Sequence, residues 1–191
     1  MINVAVALIE SAARSLDLAS THPIEARRAV SASYYAVYHA LAKAFADALI
    51  GEDAETRPKN AWLEVYRGLD HSACLTACDL AVSRKVKFPD TLMNVAGEFG
   101  QLQRRRHAAD YDPREGVDAD QAGIWLNTAK DCVDAIEKTP KKDILAFATW
   151  VLITTKGAKD TRASAYPADP ARQARHVTYP QKTKNKKRRS H

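Results

Sequence analysis

The stretch "RRAVSASYYAVYHALAKAF", Arg27 to Phe45, decides the fold. It contains no glycine or proline, and its apolar residues recur every third or fourth position, the period of a helix and not of a strand. At 100° per residue Val30, Tyr34, Val37, Leu41, Phe45 and Ala48 fall on one face, with Arg28, Ser31, Tyr35 and His39 on the opposite one. No Asp, Glu, Lys or Arg occurs between Ala29 and Ala42, so both faces are expected to be covered, as for a helix in the middle of a bundle. A buried tyrosine or histidine must find a hydrogen-bond partner. Tyr35 and His39 are therefore either satisfied by neighbouring helices or turned towards a ligand.

Working outward, helical spacing recurs in every apolar segment, and no segment alternates long enough to make a strand. The first helix is expected from Ile2 to Leu18, with Ala5, Leu8, Ala12 and Leu16 on its buried stripe. The second opens at Pro23, which suits a first turn, and runs to Ile50, where Gly51 ends it. After the polar loop "GEDAETRPKN", "AWLEVYRGLD" predicts a helix ending near Gly68, followed by a short one carrying Leu75, Leu80 and Val82. "RKVKFPD" is a connector closing on Asp90 as N-cap. A long helix then runs to Asp110, stopped by Pro113. "ADQAGIWLNTAKDCVDAIEK" forms another, and "TPKKDILAFATWVLI" a last one, with Thr139 as cap and Pro140 in the first turn. The expected fold class is all-α, an up-down helical bundle of four to five main helices over residues 1–155.

The net charge of +6 is unevenly divided: residues 156–191 hold 11 Lys+Arg against 2 Asp+Glu, so the preceding body is mildly acidic. This tail has three prolines and no apolar periodicity, cannot offset its ordering entropy by burial, and is expected to be disordered. It could grip RNA, DNA or an acidic partner, with a steep salt dependence. Hydrophobic residues at 46% and no apolar run of about 18 residues argue against a membrane span. The start shows no basic, greasy and small-residue leader pattern. Only Cys74, Cys78 and Cys132 are present, too few for a disulfide framework. A reducing cytoplasm is the expected location.

The second informative stretch is "QRRRHAADYDP". Three consecutive arginines on a helix point three ways. Extending the buried stripe of Phe99 and Leu102 makes Arg106 the inward-leaning one, with Asp110 one turn on, where an ion pair can form. His107 and Tyr111 are spaced likewise.

Together, "RRAVSASYYAVYHA" and the later "RHAADYDP" resemble the HEPN family, in the branch where an "RxAxSxxYYAxFHA" helix precedes an "RxxADYD" helix. "WLEVYRGLDH", "FPDTLMNVAGEFGQLQ" and "AFATWVL" are similar to that branch as well, so the resemblance spans roughly residues 5–153. It implies a helical bundle, often a homodimer, whose two motif helices meet at a cleft that binds RNA or nucleotide. It also implies a toxin-antitoxin or defence setting and a nucleotidyltransferase-like partner protein. The binding residues so implied are Arg106, Asp110, Tyr111, Tyr35, His39 and Arg28. Many members are metal-independent ribonucleases in which a histidine follows the arginine by four to six residues. Here none of Arg104, Arg105 and Arg106 has a histidine at that distance.

Cleavage needs a base for the ribose 2′-hydroxyl and a cation for the phosphorane. A free tyrosine titrates near ~10 and is about one part in a thousand ionised at neutral pH, so Tyr111 is a poor substitute. If the protein is a ribonuclease, the catalytic set expected from sequence is Arg106 with His107 or His39. The readings carried forward are a binding protein with a degenerate ribonuclease motif, an active endoribonuclease, and a non-catalytic dimeric scaffold. No cofactor is expected. His71, Cys74 and Cys78 share a face on a continuous helix, with Cys132 as a fourth zinc ligand in principle. The stretch nevertheless reads as a turn and a helix with small buried thiols, and no metal is assigned. Glycine-rich phosphate loops, serine-hydrolase elbows and paired catalytic carboxylates are absent.

Overall fold

The computed structural model describes residues 3–84, 86–114 and 116–166. Among them the chain forms eight helices and no strand: α1 (Val4–Leu18), α2 (Pro23–Leu49), α3 (Lys59–Gly68), α4 (His71–Ser83), α5 (Asp90–Tyr111), α6 (Ala119–Lys138), α7 (Lys141–Leu152) and α8 (Lys156–Ala165). The architecture is an all-α bundle. Helix α2 is its axis, packing against α1, α5, α6, α3 and α7.

The axis begins with Pro23 in the first turn and ends where Gly51, at φ 134°, turns the chain through a conformation that side chains disfavour. Val37, Leu41 and Phe45 are fully buried and meet Leu92, Phe99 and Leu102 of α5 and Phe147 of α7. Phe45 and Phe147 stack edge to face at 5.9 Å. A second, smaller cluster is built almost entirely of alanines, Ala19, Ala26, Ala29, Ala109 and Ala122, with Val30. Small side chains let backbones approach closely, and here they draw the start of α2 against the end of α5.

The charged end of α2 is fixed differently. Asp47, buried at 7%, pairs with Lys43 at 2.5 Å and Arg57 at 3.1 Å and accepts from the Trp62 indole at 2.8 Å. The loop that reads as merely polar is thus tied to the axis through one carboxylate.

Three expectations are corrected. Asp90 is the first residue of α5, with Pro89 at the N-cap position. Thr139 does not cap α7, because its hydroxyl donates back to the Ala135 carbonyl of α6 at 2.6 Å, and Pro140 holds the cap position instead. The segment from Lys156, expected to be disordered, is helical through Ala165. The Thr155 side chain caps it, and Arg162 stacks on Trp150 at 4.5 Å. The remainder of that expected tail, 167–191, lies outside the described residues. Among the described residues no helix is long and apolar enough to cross a membrane.

Candidate functional site

Arg106 projects from the last turns of α5 towards α2. Its Nη2 donates to the Tyr35 hydroxyl at 2.8 Å, and its Nε lies 2.7 Å from Asp110 Oδ2. That Nε is buried, and its N–H is not aligned on any acceptor, so the contact with Asp110 is an ion pair without a well-directed hydrogen bond. The guanidinium sits 5.3 Å from the ring centres of both Tyr35 and Tyr111. Burial opposes its charge, but Tyr35, Asp110 and Tyr111 outweigh burial and hold the pKa above the ordinary arginine value. The neighbouring arginines diverge: Arg105 lies over Trp125 of α6, and Arg104 lies beside Gly100.

Tyr35, Asp110 and Tyr111 also line an open cleft of about 650 Å³, together with Arg27, Arg28 and Ser31. Arg27 sets its shape by donating to the Ala109 carbonyl at 2.6 Å and the Asp112 carbonyl at 3.1 Å. These bonds satisfy carbonyls at the α5 C-terminus, where no intrahelical donor remains. Arg28 is exposed and ion-paired to Glu25. Ser31 donates to Asp110 at 3.4 Å. The four residues Arg106, Asp110, Tyr111 and Tyr35 are therefore together, with Arg28 at the cleft edge.

The two expected base candidates touch the tyrosines of this group, His39 lying 6.5 Å from the Tyr35 ring, but neither meets Arg106 among the described residues. His39 lies one turn beyond Tyr35 and shares a 2.8 Å hydrogen bond with the Tyr66 hydroxyl of α3. No contact joins it to Arg106 among the described residues. His107 is exposed and packs on the Tyr111 ring at 5.0 Å, on the solvent side of α5.

The residue that sequence reasoning overlooked in this role is His71. Asp70 caps α4 by accepting from Ala73 N at 2.7 Å, which makes His71 the first helical residue and turns it into the tyrosine cluster. Its Nδ1 shares a 2.6 Å hydrogen bond with the Tyr34 hydroxyl, its ring stacks on Tyr38 at 3.9 Å, and Tyr35 meets it edge on at 5.9 Å. Burial, then the Arg106 charge, lower its pKa, with Asp70 pulling the other way. Burial and then His71 lower that of His39. The signal available in the sequence was "LDH", an N-cap followed directly by an imidazole, whereas the spacing to Cys74 and Cys78 drew attention to metal instead. Among the described residues no three His, Cys, Asp or Glu side chains converge as a metal-ligand group.

These histidines set a pH response. An imidazole whose folded pKa is depressed takes up its proton more readily when unfolded. Its neutral form therefore favours the fold above the unfolded value of ~6.5, and that stability declines as pH falls through it. Urea unfolding should show a lower stability at pH 5.5 than at 7.5, and His71→Gln combined with His39→Gln should flatten the difference. An unchanged slope in the double variant would assign the effect to other groups.

The chain matches no family model, no curated protein and no solved structure. What the site can do rests on its own geometry and on the motif resemblance.

Proposed function

We propose that the protein is a HEPN-like RNA- or nucleotide-binding protein, acting in the cytoplasm as a homodimer in a toxin-antitoxin or defence setting beside a nucleotidyltransferase-like partner. The observation that carries the binding reading is the pairing of Arg106 with Tyr35 across two helices, at the side of a cleft lined by Arg27, Arg28 and Tyr111. A guanidinium between aromatic rings suits a phosphate flanked by a base, the charge meeting the one and the rings the other. The setting, the dimer and the partner come from the motif resemblance.

A second reading, metal-independent cleavage, is favoured by one observation: His71, whose ring contacts Tyr35, has its pKa lowered by burial and by the Arg106 charge. In the tautomer protonated on Nδ1, that N–H donates a hydrogen bond to the Tyr34 hydroxyl oxygen and Nε2 keeps a lone pair. The imidazole would take the 2′-hydroxyl proton as the oxygen attacks phosphorus. The P–O5′ bond breaks, and the imidazolium returns the proton to the departing 5′-oxygen.

Nucleic acid released from freshly purified protein, together with anisotropy titrations of a single-stranded RNA 12-mer and of a labelled mononucleotide, tests the binding reading. Saturable binding that weakens with salt is expected, and none up to about 100 μM for either probe would leave the scaffold role. Product formation in excess chelator, absent in His71→Ala, would support cleavage.

A further inference from the structure

We infer that the space between α4 and α8 is a second ligand site, suited to a small planar anion of the aromatic carboxylate class. The cavity measures about 610 Å³ and shares no residue with the Arg106 cleft. That is the size of an organic-ligand pocket. Ala77 and Leu80 of α4 and Trp150 and Val151 of α7 give it an apolar floor. The indole is fixed, since its Nε1 donates to the Ala77 carbonyl at 2.9 Å.

Above this floor stand two guanidinium groups with capacity to spare. Arg162 lies 4.5 Å over the Trp150 ring and donates to the Thr149 carbonyl at 3.0 Å, and Arg84 donates to the Tyr166 carbonyl at 3.0 Å. Each guanidinium carries five N–H donors. Among the described residues neither has a carboxylate partner. The acids on the lining are committed elsewhere: Asp160 pairs with Lys156 at 2.6 Å, and Asp70 caps α4. Lys159 adds a third cation to the wall. Burial pulls the Arg162 pKa below its ordinary value, a cost that an arriving anion would offset.

A planar fork of N–H donors matches a planar carboxylate, and the apolar floor of Ala77, Leu80 and Val151 beside it matches an aromatic ring. Entry needs little rearrangement, because α8 buries no residue of its own and is held by Arg162, Arg84 and the Tyr166 ring against Trp150 at 5.9 Å.

Calorimetric titration of the full chain with 2-naphthoate, its neutral isostere 2-naphthamide and the cationic 2-naphthylmethylamine tests the assignment. Naphthoate should bind about tenfold tighter than the amide, with the amine weakest. Arg162→Gln and Arg84→Gln should each remove most of that preference. Because those changes also loosen α8, Lys159→Gln supplies the charge test that detachment cannot mimic, since this side chain is exposed and has no hydrogen bond or ion pair among the described residues. A severalfold weaker naphthoate with an unchanged amide supports the site. Equal affinities for naphthoate and naphthamide in the unaltered protein, or naphthoate binding indifferent to all three substitutions, would overturn it.

Discussion

Replacing Asp47 with alanine is expected to destabilise the protein by about 3–5 kcal/mol, the cost of removing one partner from a buried ion pair. The carboxylate is 10% exposed as a side chain and Arg57 only 7%, so water cannot replace what is lost. Three donors depend on it. Without Asp47 the Arg57 guanidinium keeps the carbonyls of Gly51 and Glu52 and its place over Trp62 at 4.1 Å, but no countercharge. The Trp62 indole N–H, in a ring exposed by only 3%, is left without an acceptor. Asp47→Asn should fall between, because an amide oxygen still accepts from Trp62 while the charge disappears. Urea denaturation with a double-mutant cycle against Arg57→Met measures the coupling, and a loss below about 1 kcal/mol for Asp47→Ala would mean that the pair behaves as a solvated one. A domain with 5–15 kcal/mol in total would scarcely survive the alanine change at elevated temperature.

That carboxylate also marks where sequence reading stops. The helices were legible because burial in a bundle imposes one period on every apolar segment, and α2 carried it without interruption from Val30 to Phe45. Arg106 was legible for the same reason, as a cation placed on a stripe that Phe99 and Leu102 define. Side-chain partners from other helices were not legible, since they depend on how elements are arranged. Tyr66 captures His39 because α3 folds back along α2, and Asp70, as N-cap, delivers His71 as the first residue of α4. Arg27, adjacent to the expected Arg28, turned out to clasp the end of α5, a role visible only once the alanine-lined approach of α2 and α5 is known. Nothing local to Asp47 in the sequence announces Trp62 fifteen residues away.

Arg106→Ala should weaken binding of the RNA 12-mer by about 10- to 100-fold, the loss expected when a charge-assisted phosphate contact is removed from a partly desolvated cleft. The same change costs stability, because it strands the Tyr35 hydroxyl and leaves Asp110 with only Ser31. Binding must therefore be measured well below the unfolding midpoint. Two further variants separate recognition from folding. Arg106→Lys keeps the positive charge but loses the planar fork and most of the stacking between Tyr35 and Tyr111, so it should recover only part of the affinity. Asp110→Asn is the sharper comparison. Asp110 competes with any ligand phosphate for the guanidinium 2.7 Å away, so neutralising it should tighten RNA binding severalfold while lowering stability slightly. A residue serving the fold alone would shift stability in both variants and leave affinity where it was. Opposite signs for stability and affinity in Asp110→Asn, with loss of both in Arg106→Ala, would mark a phosphate site. RNA affinity unmoved by either substitution would reduce the network to a brace between α2 and α5.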